Sequence, residues 1–76
     1  MGLPSKEDRE EILRNLTRKM PLAKDVDFCW LAEHSDQLSG AQLQFLCTQA
    51  GLGAIRTQKR CVEFCHFKQS LEEMKV

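Results

Sequence analysis

The stretch Ser39-Gly40-Ala41-Gln42 is the part of this 76-residue chain best suited to contact a ligand. A serine followed three residues later by glutamine predicts a capping box at the start of a helix. Capping explains Ser39 and Gln42 but not Gly40, because any small helix former would serve as the first helical residue. Amides at a helix N-terminus with no side chain in front suit an electron-rich group or a closely approaching flat ring. A glycine merely tolerated at a helix start is the alternative, and the residues alone favour neither.

The four cysteines form no recognisable metal or disulfide pattern. Cys29 and Cys47 stand alone, and the Cys61-x-x-x-Cys65-His66 cluster lacks a second pair of zinc ligands. We therefore expect free thiols in a reducing compartment and predict no metal site.

Catalytic patterns are also missing from the sequence. It contains no Ser/His/Asp set, no paired carboxylates with a pocket, and no G-x-x-x-x-G-K-[ST] phosphate loop. We expect no catalytic residue and no bound cofactor in this chain by itself.

Eleven basic and eleven acidic residues balance to a formal net charge of zero. The chain therefore has no overall field to attract nucleic acid or an anionic membrane, and its apolar stretches are far too short for a membrane span. The basic residues Arg56, Lys59 and Arg60 fall where a helix would end, a position that favours positive charge. A helix-turn-helix DNA-binding module is disfavoured by the neutral charge and by the inward-facing residues of the third helix.

Apolar periodicity and capping residues predict a small all-α, four-helix domain. The helices are expected over about residues 5–17, from Asp27 over one short segment, over 39–59 and over 66–74, with 61–64 as a short extended link. Gly51 and Gly53 are expected to let a neighbouring helix approach the third helix closely. The inward-facing residues recur at helical spacing and are Ile12, Leu13, Leu16, Phe28, Leu31, Ala32, Leu43, Leu46, Cys47, Ala50, Ala54, Ile55, Phe67, Leu71 and Met74.

An ordered series of short motifs resembles the C-terminal helical lid subdomain of AAA+ ATPases, in the branch that holds the proteasomal ATPases and the Cdc48-like unfoldases. The resemblance covers about residues 4–75, and residues 1–3 are interpreted as the start of a fragment ahead of a lid-like domain over 4–76. The motifs, in order, are Arg9-x-x-Ile12-Leu13, Thr17-Arg18-Lys19-Met20-Pro21-Leu22-x-x-Asp25-Val26-Asp27, Leu31-Ala32, Ser39-Gly40-Ala41-x-Leu43-x-x-Leu46-Cys47-x-x-Ala50, Ala54-Ile55-Arg56, Val62 and Phe67.

The resemblance implies a role for this chain inside a larger ATPase. In such enzymes the large subdomain carries the phosphate loop, the Mg-binding acid and the arginine fingers, and the lid packs over the base and ribose of ATP or ADP. The positions that match nucleotide contacts of the family here are Ile12, Leu16, Gly40 and Ala41. The lid then shifts as ATP becomes ADP and passes that motion to the neighbouring subunit of a hexameric ring, which remodels or unfolds a protein. The implied partners are the large subdomain, the neighbouring subunit and a protein substrate or adaptor, in the cytoplasm or nucleus.

Three positions depart from the family pattern. Leu16 stands where a histidine usually touches the nucleotide, which removes a polar contact. Gln42 replaces the usual aspartate, so the capping geometry is kept while a charge favourable at a helix N-terminus is lost. Gln37 replaces the usual glycine and would be strained if that turn needs a positive φ. Together these departures indicate a divergent member with weakened nucleotide binding.

Cys29 and Trp30 lie off the apolar face of the second helix, at positions that the family usually fills with polar residues. An exposed tryptophan can anchor a partner, so these residues define a possible partner surface. A stand-alone helical protein-interaction module is accordingly the alternative function. The competing interpretation is that Trp30 folds over the edge of its own domain.

Overall fold

A computed structural model describes residues 3–36 and 38–74 of the chain. They form four helices, α1 (Lys6–Leu16), α2 (Phe28–His34), α3 (Gly40–Arg56) and α4 (Phe64–Met74). The predicted all-α, four-helix class is therefore confirmed. The expectation about Gln37 falls outside the described residues. Within the described part, no helix is both long and apolar enough to cross a membrane.

Helix α1 is bounded by the residues that the sequence predicts. The Asp8 amide donates to Ser5 Oγ at 3.2 Å, so Ser5 is the N-cap, and Thr17 is the C-cap. Leu13 is completely buried, whereas Ile12 and Leu16 are half-buried and pack against the edge of the core. The stripe is thus correct, but only its central residue lies fully inside.

A buried arginine joins α1 to α2. Arg9 Nε donates to the Ala32 carbonyl oxygen at 2.9 Å, and its Nη1 donates to the Pro4 carbonyl oxygen at the same distance. Asp36 also lies 3.7 Å from this guanidinium. Ala32 is in the last turn of α2, where carbonyl groups lack partners within the helix. The Ser35 hydroxyl donates to the same carbonyl oxygen at 3.2 Å. Arg9 therefore gives this helix-end acceptor a second partner and keeps its own charge hydrogen-bonded while only 6% exposed.

Helix α3 is the centre of the domain and packs against both α1 and α4. Its predicted stripe is buried at Leu43, Leu46, Cys47, Ala50 and Ala54. The prediction is wrong for Ile55, which is 71% exposed. Ile55 lies about 100° around the helix from Ala54, which turns it away from the buried stripe.

Helix α3 ends at Arg56, three residues earlier than predicted. Gln58 adopts a left-handed conformation with φ of 57°, and its amide donates to the Ile55 carbonyl. The next amide, from Lys59, donates to the Ala54 carbonyl at 2.9 Å. These two bonds form a Schellman motif, which terminates a helix. The predicted end of α3 was too late in the sequence because a glycine usually marks this motif, whereas here a glutamine occupies the left-handed position.

Two segments outside the helices are paired in parallel. Val62 donates its amide to the Pro21 carbonyl at 2.7 Å and accepts from the Ala23 amide at 3.0 Å. The sequence predicted a short extended link around Val62. It did not predict that Leu22 would pair with Val62. This pairing ties the segment after α1 to the segment before α4.

Helix α4 begins at Phe64, two residues before the predicted start. The Phe64 amide donates to Asp25 Oδ1 at 3.3 Å, and the Glu63 amide donates to His66 Nδ1 at 2.9 Å. These side chains satisfy amides at the helix start that would otherwise lack partners. Phe67 and Leu71 are buried as predicted.

The two glycines inside α3 have different neighbours. A Cβ on Gly53 would lie 3.6 Å from His66 Cδ2 of α4, which is an ordinary contact distance. A Cβ on Gly51 would lie 3.3 Å from Met20 Cε, which is a tighter contact. The close approach at Gly51 therefore comes from a side chain after α1 and not from a neighbouring helix.

The left-handed residue at the end of α3 yields a stability prediction. We expect Gln58→Gly to raise the free energy of unfolding by about 0.5–1 kcal/mol, because glycine adopts this conformation without the penalty of a Cβ. Urea denaturation followed by circular dichroism measures the change. As a matched control, Gln44→Gly in the exposed helical face of α3 should lower stability by about 1 kcal/mol. Equal effects of the two substitutions would contradict the assigned role of Gln58.

Candidate functional site

The start of α3 has the predicted capping box. The Gln42 amide donates to Ser39 Oγ at 3.3 Å, and the Ser39 amide donates to Gln42 Oε1 at 2.8 Å. Gln42, which stands where the family usually has aspartate, therefore keeps the capping geometry at the start of this helix.

Gly40 is the first residue of α3 and is exposed. A Cβ at this position would meet no other atom within 4 Å. No described glycine has a positive φ, so the backbone here suits any residue. Neither conformation nor packing within this chain requires glycine at position 40. The space in front of Gly40 is open and Ala41 is exposed, so a group from outside the chain can reach the N-terminus of α3.

The two predicted contacts on α1 are one helical turn apart. Ile12 and Leu16 are both half-buried, and α1 packs against α3. The structure thus places the four predicted residues as two pairs, one on α1 and the other at the exposed start of α3. The outer part of each α1 side chain remains accessible.

A shallow cleft borders Leu16. It has a volume of about 420 Å³ and is lined by Asn15, Leu16, Arg18 and Lys19. These two cations were not predicted from the sequence to contact a ligand. The missed signal was their position two and three residues after Leu16, which places two positive charges beside a predicted nucleotide contact. An apolar side chain flanked by cations suits a ligand with both a ring and an anionic group.

Trp30 contacts three side chains of its own domain. Its indole stacks on His34 with ring centroids 3.9 Å apart and meets Phe64 edge-on at 5.3 Å. Lys68 Nζ lies 5.3 Å from the indole centroid, a cation–π geometry. Trp30 is half-buried, whereas Cys29 is exposed. The partner surface at these two residues stays a prediction.

Three potential metal ligands meet before and within the first turn of α4. The ligand atoms of Glu63, Cys65 and His66 all lie within 4.8 Å of one another. Both imidazole nitrogens are already engaged, because Nδ1 accepts from the Glu63 amide and Nε2 lies 3.1 Å from Thr57 Oγ1. A metal ion would have to displace one of these bonds. The arrangement therefore fits a structural role for His66 at the start of α4.

The thiols differ in their surroundings. All four cysteines are free, and Cys47 is buried in the core. Burial raises the pKa of Cys47 to about 11, since a thiolate would be desolvated there. Cys47 therefore stays protonated near neutral pH and acts as a small apolar core residue.

Comparison with known proteins gives a consistent family assignment. A family model described as the AAA+ lid domain matches residues 25–69. The proteasome-activating nucleotidase of Archaeoglobus fulgidus is 42% identical over 72 residues, which cover 95% of this chain and 18% of that protein. The cell division cycle protein 48 homolog of the same organism is 52% identical over 56 residues, which cover 74% and 8%.

A further relative comes from a bacterium. The ATP-dependent zinc metalloprotease FtsH 4 of Sphaerobacter thermophilus is 40% identical over 74 residues, which cover 97% of this chain and 11% of that protein. The chain thus spans less than a fifth of each of these three relatives.

Gly40 can be tested for a role in folding. We expect Gly40→Ala to leave the free energy of unfolding unchanged or to raise it by up to about 1 kcal/mol, because alanine is the better helix former and finds open space there. Gly51→Ala is the matched comparison on the same helix, where the Met20 side chain must shift and should offset the gain. Chemical denaturation of both variants measures the difference. Destabilisation by Gly40→Ala would contradict the conclusion that the fold does not need this glycine.

Proposed function

The chain belongs to the AAA+ lid domain family, and on this premise we propose that it covers the base and ribose of a bound adenine nucleotide in a longer ATPase. The proposed contacts are Gly40 and Ala41 at the start of α3, with Ile12 and Leu16 on α1. In this role the chain supplies no catalytic group. It positions the nucleotide from one side while the large subdomain of the same protein holds the phosphates and Mg.

The observation that carries this proposal is that an exposed glycine stands at position 40 although the fold does not require one there. A Cβ at position 40 would meet no atom within 4 Å, and the φ angle there is not positive. The fold of this domain therefore does not require glycine at this position. A flat ring from outside could lie against the α3 N-terminus only if no side chain stood in front of it. The N-terminal amides of α3 would then face an electron-rich group with the favourable end of the helix dipole.

The surface of α1 supports the same ligand chemistry. Ile12 and Leu16 offer partly exposed aliphatic atoms, which suit a base or a ribose ring. Arg18 and Lys19 border the cleft next to Leu16 and suit an anionic group. The nucleotide would thus meet apolar atoms, backbone amides and positive charge from this chain.

The role of the whole protein follows from the family. We infer ATP hydrolysis in a hexameric ring, with the lid passing the change from ATP to ADP to the neighbouring subunit. The relatives named as a proteasome-activating nucleotidase and a Cdc48 homolog support protein unfolding or remodelling as the task. The proposed partners are therefore the large subdomain, a neighbouring subunit and a protein substrate or adaptor within the cell.

The coding sequence upstream of residue 1 gives a direct check. It should encode a G-x-x-x-x-G-K-[ST] phosphate loop within about one further domain length. Its absence from the gene would contradict the assignment to an ATPase.

Blocking the open space at Gly40 should impair nucleotide binding in the longer protein. We expect Gly40→Leu to weaken ATP and ADP binding at least tenfold, roughly 1.4 kcal/mol, because its side chain would occupy the approach to the α3 N-terminus. Isothermal titration calorimetry on the full-length protein measures the affinity. Gln44→Leu adds the same side chain one turn further along α3 and should leave the affinity unchanged.

The isolated chain provides the control for this experiment. It should bind ADP no more tightly than about 1 mM, since the phosphate-holding half of the site lies elsewhere. In the isolated chain, Gly40→Leu should also leave the helical circular dichroism signal intact. Unchanged affinity of the full-length Gly40→Leu variant would disprove the proposed contact.

Restoring a histidine at position 16 should strengthen nucleotide binding. We expect Leu16→His to increase ADP affinity in the longer protein by about twofold to tenfold, the range of one added hydrogen bond. The same substitution should lower domain stability, because half-buried Leu16 packs against the core. Fluorescence titration with a labelled ADP and a separate thermal melt measure the two effects. A loss of stability with no gain in affinity would count against Leu16 as a nucleotide contact.

A further inference from the structure

The C-terminal half of α3 borders two clefts that share no residue. One is an apolar groove of about 380 Å³ between α3 and the paired segments, lined by Leu52 and Ile55 with Lys59 and Arg60 at its rim. The other is a polar recess of about 200 Å³ between α3 and α4. Apart from Gly53, every residue that lines the recess has a polar side chain.

Gly53 keeps the recess open. A Cβ at this position would meet His66 Cδ2 at 3.6 Å, an ordinary contact, and no described glycine has a positive φ. Alanine is the better helix former. Neither the packing nor the conformation of α3 therefore requires glycine here, and the absent side chain leaves room between the two helices.

Several side chains that line the recess have unused hydrogen-bonding capacity. Ser70 is 7% exposed, yet its hydroxyl makes no hydrogen bond within residues 3–36 and 38–74. The same holds in this part of the chain for the side chains of Gln49, Arg56, Gln69 and Glu73. The three ion pairs of the described residues include neither of the two charged ones. A group bound in the recess would supply the partners that these side chains lack.

The two charges in the recess stand near opposite ends. His66, in the first turn of α4, lies against Thr57 at the end of α3. Gln49, two turns before Arg56, lines the same recess as Glu73, so α4 runs back along α3. Seven residues of helix separate each end from the other, a rise of about 10 Å. An extended chain of about three residues spans that distance, since each residue adds about 3.3–3.6 Å.

We propose that the recess binds a peptide of two or three residues with free termini. Its carboxylate pairs with Arg56, and its ammonium group pairs with Glu73. The side-chain amides of Gln49 and Gln69 each offer a donor and an acceptor, which match the N–H and C=O of a peptide bond. This site goes beyond nucleotide binding and does not depend on it, because Gly40 lies about 14 Å along α3 from the nearest lining residue.

Titration of the isotope-labelled 76-residue chain with triglycine, followed by NMR, tests the site. The amide resonances of the lining residues should shift saturably with a Kd between about 0.1 and 1 mM. Triglycine acetylated at its N-terminus and amidated at its C-terminus carries neither charge and should bind about tenfold more weakly. Acetate should produce no saturable shift, because it offers a single charge. Equal binding of the capped peptide or of acetate, or no saturable shift up to about 10 mM triglycine, would overturn the proposal.

Variants at the two ends identify the orientation of the peptide. Arg56→Gln and Glu73→Gln should each weaken triglycine binding about threefold to fivefold, the scale of one exposed charge pair. Lys24→Gln and Glu72→Gln make the same changes in charge outside the recess and should leave the affinity unchanged. Triglycine amidated only at its C-terminus should bind the Arg56→Gln chain as well as the unaltered chain. Ser70→Ala should weaken binding with the helical circular dichroism signal retained. Equal weakening by the variants outside the recess would show that the peptide binds elsewhere, and the proposal would fail.

Discussion

Burial of the apolar stripe of α3 holds the domain together, because α1 packs on one side of this helix and α4 on another. Five residues of the stripe, from Leu43 to Ala54, lie inside the core with at most 4% exposure. Helix α2 joins this arrangement through α1, where the buried Arg9 guanidinium binds the Ala32 carbonyl. The pairing of Leu22 with Val62 connects the segment after α1 to the segment before α4. A change in the stripe would therefore reach every other helix.

The same helix separates an exposed glycine from an apolar groove. Its N-terminus is exposed at Gly40, and its C-terminal half carries the apolar groove with its basic rim. Seventeen residues of α3 set a distance of about 25 Å between its ends.

Local chemistry made much of the fold predictable. The caps at Ser5 and Ser39 and the α3 stripe depend on neighbours within a few residues, so their spacing in the sequence was sufficient. The end of α3 was misplaced because Gln58 adopts a conformation that usually signals glycine. Arg9 could not be recognised as buried, since its acceptors at Pro4 and Ala32 are brought to it only by the packing of α2 against α1.

The sequence by itself determined the four helices, the capping box around Gly40 and the resemblance that points to a nucleotide. Tertiary structure decided which surfaces stay open, because exposure depends on what packs from elsewhere in the chain. The packing left open space in front of Gly40 and turned Ile55 outward to line a groove. It also brought the Trp30 indole into edge contact with the Phe64 ring. Helical period assigns a residue to a face, whereas only the packed domain determines whether that face is covered.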